Sequence, residues 1–188
     1  MMPKYTARLF SYPAWLAGLL CLLLVVPVSM RVDAAQPASA EYQLKAALIY
    51  KLTKFVKWPN GSELEKFSIC ILGEDYFGSS INALEEREVN GLPIVIRRFA
   101  QSESVDHRCR VLFVSDSKQA FVESILQNYA KLPILTISDM DDFSEKGGII
   151  QFTAGEKRIG FQINNGRAKS AGLTIAAPLL ELATTVIQ

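Results

Sequence analysis

Short apolar runs closed by turn residues recur from residue 67 onward, and they predict strands. Phe67-Ser-Ile-Cys-Ile-Leu-Gly73 sets the pattern: rich in β-branched and apolar residues, too short for a globular helix, and stopped by Gly73-Glu-Asp. Ile94–Phe99, Arg110–Ser115 and Ile134–Ser138 read the same way. Gly148–Thr153 and Arg158–Asn164, separated by a turn at Ala154-Gly-Glu-Lys157, predict an antiparallel hairpin with Ile159, Phe161 and Ile163 alternating towards one face.

Between these runs the period lengthens. Leu44, Leu48, Leu52, Phe55 and Val56 recur at three- and four-residue steps, with Ala47 on their face and Lys45, Lys51 and Lys54 on the other. The spacing predicts an amphipathic helix from Glu41 to Trp58-Pro59, with Asn60-Gly61 turning the chain. A second helix carries Ile81, Leu84 and Val89 behind Ser79 or Ser80 as N-cap, and Asn90-Gly-Leu-Pro93 leads out of it. Ser115-Asp-Ser117 caps a third, whose stripe is Ala120, Phe121, Ile125 and Leu126. Asn165–Gly172 predicts a short turn or helix, and Leu179, Leu180, Ala183 and Val186 predict a last helix from Ala176 to Val186. The order implies a single α/β domain over 41–188: a mixed sheet of about six strands, partly parallel, with a C-terminal antiparallel hairpin, flanked by helices.

Residues 1–34 stand apart. Lys4 and Arg8 form a basic start, Leu16 to Val26 an apolar centre, and Val32-Asp-Ala34 a small-residue cleavage site, so the segment reads as a secretory signal peptide. Eleven helical residues reach about 16 Å, roughly half of a hydrocarbon core. The alternative is an uncleaved anchor, because the 19 residues from Tyr12 to Met30 carry no charge. Cys21 follows Leu20, which is not the small residue a lipid-acceptor cysteine needs. Beyond residue 34, 17 basic and 18 acidic side chains leave a net charge of −1, with no basic face to attract nucleic acid.

Candidate chemistry is sparse. The one histidine, His107, lies in a polar linker without a set of zinc ligands, and no Gly-x-Ser-x-Gly elbow or triad appears. Gly73-Glu-Asp-Tyr-Phe-Gly78 sits where an α/β protein would hold a phosphate, but Glu74 and Asp75 put negative charge there, and a tight turn is the better reading. Asp139, Asp141, Asp142 and Glu145 lack the alternation of a calcium loop and read as a helix start. Lys45, Lys51, Lys54 and Lys57 read as a solvated face. No cofactor or metal is implied. Leu173, Ile175, Leu179 and Leu180 are candidates for a partner-binding surface, with core packing as the competing use. Trp58, Tyr76 and Phe77 could line a small-metabolite pocket or serve as core residues.

The cysteines carry the specific signal. An exported chain meets oxidising conditions, and Cys70 and Cys109 are the two cysteines left beyond residue 34, which permits one bridge and leaves no odd thiol. The competing reading is two independent buried cysteines. A bridge requires the two strands to be neighbours in suitable register.

Lys45–Pro59, Ile69-Cys-Ile-Leu-Gly73, Asn90-Gly-Leu-Pro-Ile94, Cys109–Ser115, Pro133–Ser138, Phe143-Ser-Glu-Lys-Gly-Gly148 and Ile163–Leu173 together closely resemble the YfiR-like family of exported proteins, in the same order and over nearly all of the chain beyond residue 34. The resemblance implies a periplasmic α/β protein without known catalysis, a homodimer, that represses an inner-membrane diguanylate cyclase by binding its periplasmic sensor domain. Cyclic-di-GMP and biofilm formation would fall as a result. It also implies that Cys70 and Cys109 occupy positions of a disulfide linked to redox control. One departure stands out: some members carry a second cysteine pair around the glycine pair, where this chain has Ser144 and Gln151.

Overall fold

The computed structural model describes residues 39–59, 64–100, 105, 108–155 and 159–188, all within one compact unit. The expected signal peptide with Cys21, the Asn60-Gly61 turn, His107 and the second half of the hairpin turn lie outside the described residues. In chain order the elements are α1 (Ala40–Thr53), β1 (Val56–Lys57), β2 (Phe67–Leu72), α2 (Ser79–Asn82), β3 (Glu88–Val89), β4 (Leu92–Phe99), β5 (Cys109–Val114), α3 (Val122–Tyr129), β6 (Leu135–Ser138), β7 (Ile150–Ala154), β8 (Ile159–Asn164), α4 (Asn165–Ser170), β9 (Thr174–Ile175), α5 (Ala177–Leu182) and β10 (Thr185–Ile187). Eight of the strands form one mixed sheet in the order β10-β8-β7-β6-β5-β2-β4-β3, and β1 and β9 form a separate antiparallel pair.

The sheet has eight strands where the apolar runs show six. β3 is only two residues long, too short to show a period; it folds back on β4 through Asn90-Gly91, both at positive φ (54° and 77°), as a two-residue hairpin turn requires. β10 replaces the second half of the expected last helix. That helix ends at Leu182, Ala183 is extended, and the β-branched Thr185-Val-Ile187 pairs parallel to β8. The predicted hairpin is present, with Phe152 opposite Phe161 and Ile150 opposite Ile163.

Four helical expectations are also corrected. α1 stops at Thr53, because Val56-Lys57 pairs with Thr174-Ile175 instead of continuing the helix. Its buried face is Lys45, Ala46, Ile49, Leu52 and Thr53, so Lys45 is in the interior and Leu44 is 46% exposed. Apolar residues occur on several sides of this helix, so spacing alone cannot choose the face. The ion pair of Lys45 with Asp139, 2.5 Å apart, marks the side that docks. Asp139, Asp141, Asp142 and Glu145 begin a series of turns and not a helix, with Asp142 at φ 59°. In the segment after β2, Gly78 and not a serine precedes α2, Val89 belongs to β3, and Asp75 Oδ1 accepts from the backbone N–H of Phe77 and Gly78. Ser115 does cap the helical turn after β5, but Phe121 faces solvent while Val122 and Leu126 enter the core.

β2 is buried at every position and hydrogen-bonded on both edges, parallel to β4 and to β5. Phe67, Ile69 and Ile71 face a core shared with α1 and α2, whereas Cys70 and Leu72 face a second core under α3. The helix after β2 and the helix after β5 therefore cover opposite faces. This places a topological switch point between the two strands, and in open α/β sheets ligands bind at the C-terminal ends of such strands.

One close approach tests this packing. Gly148 lies against the Phe143 ring so closely that a Cβ would overlap it. Gly148→Ala should cost about 1–3 kcal/mol in urea unfolding through overpacking; unchanged stability would show that Phe143 can move aside.

Candidate functional site

The structure joins Cys70 and Cys109 in a disulfide with Cα atoms 6.0 Å apart, both fully buried. Strand parity alone would forbid it. Ile69 pairs with Val111 and Cys70 with Leu112, so unbroken alternation would turn Cys109 towards the α1 side, away from Cys70. A register shift intervenes: Ser68 pairs with Cys109, and Arg110 is left as an extra residue. This bulge in a parallel pair returns Cys109 to the face of Cys70. The Arg110 carbonyl accepts from Trp58 Nε1 at 3.3 Å, and burial pushes the Arg110 guanidinium below its ordinary value.

Ser144 and Gln151, where the resemblance would place a second cysteine pair, also meet. Gln151 Oε1 accepts from the Ser144 backbone N–H at 3.1 Å, and Ser144 Oγ shares its hydrogen between Gln151 Oε1 (3.2 Å) and Gln162 Oε1 (3.0 Å). Asn164 Nδ2 donates to the Ser144 carbonyl at 2.8 Å. Hydrogen bonds thus tie the turn at Ser144 to β7 and β8.

The apolar C-terminal segment divides. Leu173, Ile175 and Leu179 are buried against the sheet, Leu180 is half-buried, and the neighbouring Leu182 is 68% exposed. The accessible part of this segment is therefore Leu180 and Leu182.

The three expected pocket aromatics do not converge. Trp58 packs edge-on to Phe67 near the start of β2, while Tyr76 and Phe77 lie beyond its other end and contact Tyr42 at centroid distances of 5.4 and 5.1 Å. There, α1, the ends of β5 to β7 and the start of β8 enclose a cavity of about 250 Å³, lined by Glu41, Tyr42, Lys45, Asp116, Asp139 and, on its apolar side, Phe152, Ala154 and Ile159. Asp139 Oδ2 accepts from Tyr42 Oη at 2.7 Å and from Lys45 Nζ at 2.5 Å, whereas its Oδ1 is buried without a hydrogen bond among the described residues. Burial, then the bond to Asp139, raise the Tyr42 phenol well above 10, and the bond to Glu74 pushes the half-buried Tyr76 up to about 12. Tyr42, Lys45 and Asp116 were not legible as a group, because Asp116 follows β5, more than seventy residues along the chain from the two on α1. Among the described residues no three His, Cys, Asp or Glu side chains gather as a metal site, and no helix is long and apolar enough to cross a membrane.

Two results should follow. Ser144→Cys with Gln151→Cys should form a second bridge on oxidation, read as loss of two hydrogens by intact mass; persistent thiols in the folded variant would contradict the contact. For Tyr42, the neutral phenol stabilises the fold fully below the unfolded value near 10, and this contribution is lost as pH rises past it towards the raised folded value. Between pH 8 and 11 the parent should lose more stability than Tyr42→Phe; equal losses would count against the buried phenol.

The sequence pattern of the YfiR/HmsC-like family matches residues 42–184, and no curated protein matches the chain. Among solved structures, it resembles a crystal structure of a conserved domain protein from Vibrio cholerae O1 biovar El Tor, with a TM-score of 0.54 at 14% identity over 77% of this chain. The chain spans 60% of that protein's length, and at this identity the likeness concerns the fold. The family match covers the described sheet almost from end to end, and the chain belongs to the YfiR/HmsC-like family of periplasmic regulators.

Proposed function

We propose that this protein is exported with loss of residues 1–34 and represses an inner-membrane diguanylate cyclase by binding its periplasmic sensor domain, without catalysis of its own. Family membership over residues 42–184 is the observation that carries this reading. The physical requirement is a preference for one sensor state: a regulator shifts its partner's equilibrium only as far as its affinities for the two states differ. The sensor-binding face includes Leu180 and Leu182, the accessible end of the apolar C-terminal segment. The protein works as a homodimer, and the Cys70–Cys109 bridge supplies redox input by holding the repressing shape. Closing a loop with a sequence separation of 39 contributes about 4 kcal/mol on the chain-entropy account.

Deleting the gene should raise cyclic-di-GMP and biofilm mass, and complementation should restore both. Complementation with Leu182→Asp should leave cyclic-di-GMP high while the protein accumulates normally. Unchanged cyclic-di-GMP on deletion, in a strain that carries a partner cyclase, would overturn the proposal.

A further inference from the structure

Two sides of α1 are apolar, and only one of them meets the core. The helix buries Ala46, Ile49 and Leu52. On the side turned to solvent, Leu44, Leu48 and Lys51, and Phe55 in the turn just after the helix, recur at three- and four-residue steps with Ala47 among them. Leu44 is 46% exposed and Phe55 37%, Ala47 is exposed and Leu48 half-buried. α3 shows the ordinary pattern, a solvent side of Glu123, Ser124 and Gln127. One exposed leucine is normal in a folded chain, whereas an apolar stripe on the open side of a helix marks a surface that something covers.

The charge on this face says what kind of partner fits. Lys51 and Lys54 are exposed on it, and the one carboxylate of α1, Glu41, is held by Lys45. Lys54 Nζ donates to the Glu88 carbonyl at 2.8 Å and lies 4.7 Å from the centroid of the Tyr50 ring, where Arg87 stands at 5.2 Å. These partners are neutral, so they leave the positive charge in place. The exposed carboxylates of Glu86 and Glu88 on the neighbouring segment make no ion pair with Lys51, Lys54 or Arg87.

Three occupants can be compared on these terms. A second copy laid on the same face by a two-fold axis would set the lysines against their own counterparts. A protein groove that receives a helix takes apolar anchors at i, i+3, i+4 and i+7, and Lys51 stands at the i+7 position of Leu44. An anionic bilayer accepts this mixture: apolar side chains enter its headgroup region, and lysines among them reach back to the phosphates.

We infer that the outer face of α1 docks on an anionic phospholipid surface, with Leu44 and Phe55 inserted and Lys51 and Lys54 paired with lipid phosphates. The face is read from exposure and charge and does not depend on the cyclase reading.

The test is flotation of the purified exported protein with vesicles of equimolar phosphatidylcholine and phosphatidylglycerol, against vesicles of phosphatidylcholine alone. The protein should float with the anionic vesicles and not with the neutral ones, and added salt should release it. Lys51→Gln with Lys54→Gln should weaken binding about thirtyfold, the combined worth of two basic side chains at a charged bilayer. Leu44→Ser with Phe55→Ser should weaken it about tenfold or more. Phe121→Asp, at an exposed side chain on the opposite face of the sheet, should bind as the parent does. Tm of each variant separates lost binding from lost folding. Glycerol phosphate at the same phosphate concentration should not release the protein; release would show a site for a free phosphate ester and overturn the inference. So would equal binding to neutral vesicles, undiminished binding by the folded lysine variant, or binding to polyglutamate without binding to vesicles, the mark of an acidic protein partner.

Discussion

The constraint on which this fold turns is a parity condition. Two cysteines on neighbouring parallel strands can bond only if both point to the same side of the sheet, and the pairing of Ile69 with Val111 puts Cys109 on the wrong side. One extra residue, Arg110, corrects it. The bridge and the bulge therefore imply each other: the bulge lets the sulfurs meet, and the bond keeps the bulge from sliding out. Because β2 also pairs with β4 and separates the two cores, a slip at its edge with β5 would move side chains in both of them.

The proposed role, regulation by shape, would benefit from this arrangement. The bridge is wholly buried, so a reductant can reach it only when the start of β5 opens locally. Around Ser144 the same chain uses hydrogen bonds, each worth roughly 1 kcal/mol net. Covalent restraint is thereby concentrated on one strand pair.

Much of the fold was legible in the sequence, for definite reasons. The six longer strands announced themselves as apolar runs, and the Asn90-Gly91 turn carried the chemistry of a tight hairpin turn. What stayed hidden was decided by tertiary contact. β3 has two residues and β10 has three, too few for periodicity. The docking side of α1 followed from Lys45 meeting Asp139, 94 residues away, which no local pattern contains. The cysteine pair was legible by count and export, but the bulge that permits it was not, since an extra residue in a strand leaves no mark on composition. The cavity beside Tyr42 was invisible for a related reason: its carboxylates come from a helix and from two separate strand ends.

Hydrogen exchange of the parent and of a Cys70→Ala, Cys109→Ala variant tests the central claim most directly, that the bridge holds the β2–β5 register. Without the bridge, amide protection should fall at residues 109–111 and at the facing Phe67–Ile69, while Val114 and the Phe113–Ile137 end of the β5–β6 pairing stay protected. Protection unchanged at Cys109–Val111, or lost evenly across the sheet, would contradict it.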